Sequence, residues 1–295
     1  MRVTFRTAYG GNEYLEASSS QMAKARQQVM SGKRVEKASD DPAAMQRSVE
    51  GRGEIGALET YSRTADSALA KLTTIDTVLG AVVDRLQQAK VATVSVQGSI
   101  ATAQQREAAA LTLEGLRDAL AADLNTEVRG AYVFGGSQAT TPPYAKVAGV
   151  WTYQGDAAPV AVDIGPGQTV DVALDGAALA QGSDASNILN ELEALIVAVR
   201  AGDNPGMAAG TAAIDRAFLR ATRAQTSVGV DEQGIGERQL QITSARLSVV
   251  TRVSKDEDAD LALAISEMTR AQTAYQAALS AVGTASRASL LDYLR

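Results

Sequence analysis

Apolar positions in this chain recur mostly at helical spacing, in long runs separated by short interruptions. Between Asn12 and Met30, Leu15, Ser18, Met22, Ala25 and Val29 stand alternately three and four residues apart, on one face of a first helix. Gly32 ends the pattern, because glycine takes the left-handed conformation of a helix terminus at little steric cost. The stretch SGKRVEKASDDPAAM, residues 31–45, therefore reads as a stop, a basic loop or extended turn over residues 31–37, and a restart. Asp41 caps the new helix, and Pro42 fills its first position, where the missing N–H is no loss.

The strongest periodicity follows. Leu58, Tyr61, Ala65, Ala68, Leu72, Ile75, Leu79, Val82, Leu86, Ala89, Thr93, Val96 and Ile100 keep a 4-3 alternation over about six heptads, as in a coiled coil or a long bundle helix. A third helix is expected from about Ala103 to Val128, with Leu113, Leu116, Leu120 and Leu124 on its face. From Tyr132 the pattern changes to period two, in Val160, Val162, Ile164 and again in Val170, Val172, Leu174, with a Gly165-Pro166-Gly167 turn between the runs. This stretch predicts a small β region of hairpins holding the single tryptophan, Trp151.

Helical spacing returns with Ile188, Leu192, Leu195 and Val199, ending near Gly202-Asp203-Asn204-Pro205. A second long seam runs through Ile214, Phe218, Ala221, Gln225, Val228, Glu232, Ile235, Gln239, Ile242, Arg246 and Val249. Its polar members, and Gly229, Gly234 and Gly236, count against an unbroken helix. Ser254-Lys255-Asp256-Glu257 fits a capping box, with Ser254 as the cap and Glu257 three residues on. A last helix then carries Leu261, Ile265, Met268, Gln272, Tyr275, Leu279 and Val282.

These patterns predict a mainly α protein: an elongated rod of long helices with paired terminal helices and a small inserted β domain. Three parts are expected, a terminal-helix assembly domain over 1–40 and 254–295, a helical rod over 41–130 and 186–253, and a β-rich insert over 131–185. The terminal helices have apolar stripes of small and medium residues. A lone helix of this kind is marginal in water, and two of them bury little. Leu15, Met22, Val29, Leu261, Ile265, Met268, Tyr275, Leu279 and Val282 are therefore expected to find cover in neighbouring molecules. Packing of both helices onto their own middle domain is the alternative.

Composition narrows the chemistry. Hydrophobic residues make up 45% but aromatics only 4%, which suits closely packed, alanine-rich helices. Cysteine and histidine are both absent, which removes disulfides, thiolate metal sites, the Ser-His-Asp triad and the commonest general base. Asp256, Asp258, Asp260 and Glu267 match four positions of a calcium loop, but Leu261 stands where that loop needs glycine. Asp40 and Asp41 read as helix caps rather than acid–base partners. Tyr9-Gly10-Gly11-Asn12 lacks the lysine and strand of a phosphate loop. No catalytic constellation, cofactor or metal is expected. A net charge of −6 argues against nucleic acid as the main partner. Residues 1–40 hold seven basic against four acidic side chains, whereas 131–185 hold one lysine, Lys146, against five aspartates. No stretch approaches the ~20 apolar residues of a membrane span, and the first thirty residues lack a signal-peptide apolar run.

The segment SGKRVEKASDDPAAM resembles the N-terminal signature of the flagellin family, and DADLALAISEMTRAQTAYQAALSAVGTASRASLLDYLR is similar to its C-terminal signature. The ending SLLDYLR, and the YQGD and VDIGPGQTVDVALDG segments, are closer to the hook–filament junction branch than to filament flagellins. The resemblance implies paired terminal helices packed in an inner tube and export through the flagellar type III apparatus without a cleaved signal. It implies as partners other copies of the chain, another hook-associated protein on the hook side, flagellin on the filament side and an export chaperone before secretion. It also makes Arg34 and Lys37, in the first loop, interface candidates. Filament flagellin is the nearest rival, and a secreted binding module using Trp151 and Tyr153 of the insert is a rival of another class.

Overall fold

The computed structural model describes residues 3–98 and 101–293, with only the backbone course given for 3–12 and 285–293. Seven helices are present among them: α1 (Val3–Ser31), α2 (Pro42–Val94), α3 (Ala103–Leu124), α4 (Gly176–Ala180), α5 (Ile188–Ala201), α6 (Asn204–Glu257) and α7 (Leu261–Tyr293). Between α3 and α4 lie three antiparallel hairpins, β1–β2 (Glu127–Val128, Ala131–Tyr132), β3–β4 (Tyr144–Val147, Val150–Tyr153) and β5–β6 (Ala161–Gly165, Gln168–Asp171), each its own two-stranded sheet. The chain forms two compact units, Leu58–Ser244, and Met1–Ala57 with Ala245–Arg295.

In the unit Leu58–Ser244 the first seam is the core. Ala65, Ala68, Leu72, Ile75, Leu79, Val82, Leu86, Ala89, Thr93 and Val96 are all buried; Ile100 lies outside the described residues. The expected break in the second seam does not occur. Gly229, Gly234 and Gly236 sit inside an uninterrupted α6, their Cβ positions facing open space. Tertiary burial of Ile214, Ala221, Val228, Ile235 and Ile242 on one face outweighs the ~1 kcal/mol each glycine costs. The alternate positions Gln225, Glu232 and Gln239 are polar because they run half-buried along α2. Glu232 accepts from Thr73 Oγ1 at 2.9 Å, Gln239 donates to Asp66 at 2.6 Å, and Gln225 lies over Gly80. Each α2 partner precedes the next by seven residues as the α6 partners descend by seven, so the two helices are antiparallel in a single register.

α3 ends at Leu124, short of the expected Val128, because β1 begins at Glu127. Its start is a capping box in which Thr102 and Gln105 bond each other's backbone. The hairpins obey their turn chemistry. β5–β6 turns on Pro166-Gly167, with Gly167 at φ 69°. β3–β4 turns on Ala148-Gly149, both at positive φ. The inward residues Tyr144, Ile164 and Val170 join the core made by α2, α3, α5 and α6.

In the unit Met1–Ala57 with Ala245–Arg295, Ala44, Ser48 and Gly51 of α2 are fully covered and continue a 4-3 spacing of small residues. A Cβ on Gly51 would stand 2.5 Å from Val253 Cγ2 of α6, so glycine there permits the close approach. Gly53, one turn-face away, has nothing within 4 Å of its Cβ position. Gly53→Ala is expected to raise stability by about 0.5–1 kcal/mol through helix propensity alone. Gly51→Ala is expected to lower it, because the β-branched Val253 has few rotamers to turn into. Thermal and urea unfolding of the two variants checks the contrast, and equal gains at both sites would remove the packing argument.

Candidate assembly interface

α1 and α7 pack along each other as an antiparallel pair, the end of α1 beside the start of α7. On α1 the covered side is the stripe read from sequence: Leu15, Ser18, Met22 and Val29 are half-buried and Ala25 is buried. Gly10 and Gly11 lie within α1 and form no loop. On α7 the covered side is Ala264, Met268, Ala271, Tyr275, Ala278 and Val282, again spaced four and three. Alanine at alternate positions lets the axes approach. Met268, Tyr275 and Val282 are thus turned to the partner helix of the same chain. Leu261, Ile265 and Leu279 are not: they stand together on one flank of α7 with 51%, 49% and 45% of their surface exposed. On the opposite flank a polar groove of about 490 Å³ runs between the helices, walled by Gln21, Lys24, Gln28, Glu267 and Arg270 over Ala25, Ala271 and Ala274.

The expected capping box at Ser254 is not there. Residues 254–257 are the last turn of α6, and α7 is capped by Asp260, whose Oδ1 accepts from Ala262 and Leu263 N–H at 2.9 and 3.1 Å. Glu257 has another task. It is 4% exposed; its carboxylate accepts from Arg52 at 2.5 and 2.6 Å and from Lys33 at 3.0 Å. Its backbone carbonyl accepts from Arg34 N–H at 2.6 Å and Val35 N–H at 3.2 Å. Gly32 carbonyl in turn accepts from Ala259 N–H at 2.9 Å. A short antiparallel bridge, Lys33 to Asp258, thereby ties the loop after α1 to the link before α7.

Arg34 is held inside this knot. It donates to Asp256 carbonyl at 2.8 Å and pairs with Asp41 at 3.2 Å. Arg47 forks onto the Asp256 carboxylate, its shortest bond 2.6 Å. Asp41 also accepts from Ala44 N–H at 3.0 Å, which confirms its capping role. Asp40 accepts from Glu36 and Lys37 N–H and pairs with Lys24. Lys37 is exposed, and its ammonium meets no carboxylate among the described residues. The calcium pattern is thereby dispersed: Asp256 holds Arg47, Asp258 accepts from Ser254, Asp260 caps α7, and no metal-ligating cluster occurs among the described residues.

Trp151 and Tyr153 form no open platform. Trp151 is half-buried, Lys146 Nζ lies 5.8 Å from its ring centre, and Asn187 and Asn190 pin its backbone at 2.8–2.9 Å. Tyr153 hydroxyl lies 3.0 Å from the carbonyls of Phe134 and Asp156, and burial pushes its pKa up to about 12.

Glu257 is the residue that sequence reasoning placed in the wrong role. The signal for its partners was legible, since the basic Lys33 and Arg34 in the first loop complement the acidic Asp256, Glu257 and Asp258 in the second. Burial by itself would raise the Glu257 carboxyl, but the Arg52 and Lys33 hydrogen bonds outweigh it and hold it below the usual range. Asp256 is lowered by its Arg47 hydrogen bond, and Asp40 and Asp41 chiefly by backbone N–H donors. Carboxyls depressed by folding stabilise above their ordinary values of 3.8 and 4.5, and that contribution is lost as pH falls through the folded values. Protection factors of the Arg34, Val35 and Ala259 amides are therefore expected to hold from pH 8 to 5 and to collapse below about pH 4, ahead of amides in α5. Simultaneous loss in both places would show that the knot carries no separate acid sensitivity.

The model of the bacterial flagellin N-terminal helical region matches residues 8–139, and that of the bacterial flagellin C-terminal helical region matches residues 211–294. No curated protein matches the sequence. Among solved structures, a Vibrio parahaemolyticus protein assigned as a flagellar hook-associated protein is 21% identical with a TM-score of 0.71, over 74% of this chain and 100% of that one. Hook-associated protein-3 of Legionella pneumophila is 12% identical, TM-score 0.64, over 70% and 97%. Xanthomonas campestris FlgL is 14% identical, TM-score 0.63, over 69% and 99%. At these identities the likeness establishes a shared fold. The two family regions together span most of the chain, from within α1 to the end of α7, and the chain belongs to the bacterial flagellin family.

Proposed function

We propose that this chain is a structural subunit of the bacterial flagellum of the hook-associated protein 3 type, joining the hook to the filament by polymerising through its terminal helices. The observation that carries the reading is one flank of α7, where Leu261, Ile265 and Leu279 remain about half exposed after α1 and α7 have paired. Three large aliphatic side chains along one flank of a 33-residue helix are a surface that a neighbour covers. By role, 1–40 with 254–295 are the assembly part, 41–130 with 186–253 the helical body and 131–185 the insert. Leu15, Met22, Val29, Met268, Tyr275 and Val282 hold the pair together and complete their burial on assembly, and Lys37 and the free edge of Arg34 face an adjacent subunit. The junction role, rather than that of filament flagellin, is favoured because the solved structures of similar fold cited above are hook-associated proteins. Its partners are then other copies, a hook-associated protein, flagellin and an export chaperone, and its place is the extracellular flagellum. Nothing in the described residues gathers a metal site, and no helix among them is long and apolar enough to cross a membrane.

A strain lacking this chain is expected to make hooks without filaments and to shed flagellin into the medium; intact filaments would defeat the junction role. Limited proteolysis of the unassembled protein is expected to trim both ends before the body, with equal protection throughout counting against assembly by the ends. Ile265→Glu with Leu279→Glu is expected to leave the monomer folded, because both positions are half exposed. It should block incorporation, since burying two unpaired carboxylates costs several kcal/mol in all. Sedimentation of mixed assemblies reads the outcome.

A further inference from the structure

The two interruptions in the helical pattern have different origins. At the first, the chain stops and restarts by its own residues: Gly32 stands at φ 69°, and Asp41 and Pro42 open α2. The second, residues 258–260, has a cap in Asp260 but no residue that stops a helix. Neither glycine nor proline occurs between Gly236 and Gly283. Lys255, Glu257, Ala259 and Leu261 favour helix, and the intervening aspartates oppose it far less than glycine or proline would.

What occupies the second break is the loop from the first. In a continuous helix, Glu257 carbonyl would accept from Leu261 N–H, and Ala259 N–H would donate to Lys255 carbonyl. Here Glu257 carbonyl accepts from Arg34 and Val35 instead, Ala259 N–H donates to Gly32, and Asp256 carbonyl accepts from the Arg34 guanidinium. Val35 is buried and anchors the loop in place. The Glu257 side chain fixes the same site through Lys33 and Arg52. The one local contribution to the break is the Asp260 cap on α7. Against it stand the backbone bonds that residues 259–261 would regain in a continuous helix.

We propose that the break between α6 and α7 is imposed by the Gly32–Val35 loop, with Glu257 as its positioning residue, and that displacing the loop joins α6 and α7 into one continuous helix. The same carbonyls then have two ways of being satisfied. One requires the loop and sets α7 beside α1; the other needs nothing from the N-terminal end of the chain. The terminal pair is a conditional state, made when the first 41 residues arrive.

The test uses full-length, unassembled protein, so it stands or falls apart from the junction assignment. Val35→Asp places a carboxylate in the buried anchor and leaves the sequence of α6 and α7 untouched. Glu257→Gln removes the charge but keeps the shape and the helix propensity. Amide exchange is followed at Arg34, Asp260 and Leu261. In both variants the Arg34 amide is expected to lose protection, while the Asp260 and Leu261 amides gain it by about tenfold or more as they enter a helix. Asp260 and Leu261 exchanging as fast as in the parent protein, or faster, in both variants would overturn the proposal. So would a loss of amide protection through residues 261–284, because α7 would then have melted rather than joined.

Discussion

The terminal half of this protein depends on one buried carboxylate and the carbonyl of the same residue. Glu257 is nearly inaccessible, and an unpaired charge at such a place would cost several kcal/mol. Lys33 and Arg52 reach it from two separate segments, and the two backbone amides that follow Lys33 take its carbonyl. Because these groups come from positions more than two hundred residues away, satisfying one residue brings the loop after α1, the start of α2 and the end of α6 together. The pairing of α1 with α7 begins at that knot. Neither helix has a stripe wide enough to hold the other firmly, and alanines make up much of the contact.

The larger unit solves the same problem with more material. Its α2 and α6 carry a dry row on each helix and a half-buried polar row on α6 whose members meet Asp66, Thr73 and Gly80. The dry row supplies most of the stabilisation, since each buried aliphatic side chain contributes about 1.5–3 kcal/mol. The polar row contributes less but distinguishes one register from its neighbours. The hairpins close the end of this core with Tyr144, Ile164 and Val170, and Arg238 reaches the β5–β6 turn through Ile164 carbonyl at 3.3 Å.

A subunit meant for a polymer has to fold without its neighbours and still keep surface for them. Here α7 turns alanines with Met268, Tyr275 and Val282 toward α1, and leaves Leu261, Ile265 and Leu279 on one flank. Aliphatic flank and polar groove on opposite sides of one helix pair give that pair a direction, which a uniformly apolar pair would lack.

Much of this was legible in the residues. The seam of α2, the stop at Gly32, the Asp41-Pro42 restart and the Pro166-Gly167 turn each rest on local rules, and the likeness of both ends to flagellins rests on contiguous motifs. Three features were decided only in three dimensions. α6 stays whole through three glycines because its buried row outweighs their local cost. α7 turns its alanine stripe inward, which apolar periodicity could not choose because two stripes of similar spacing lie side by side. The end of α6 falls at Glu257, where a capping box seemed to begin a helix, because a carbonyl accepts from whichever donor reaches it, and the nearer donors came from the far end of the chain.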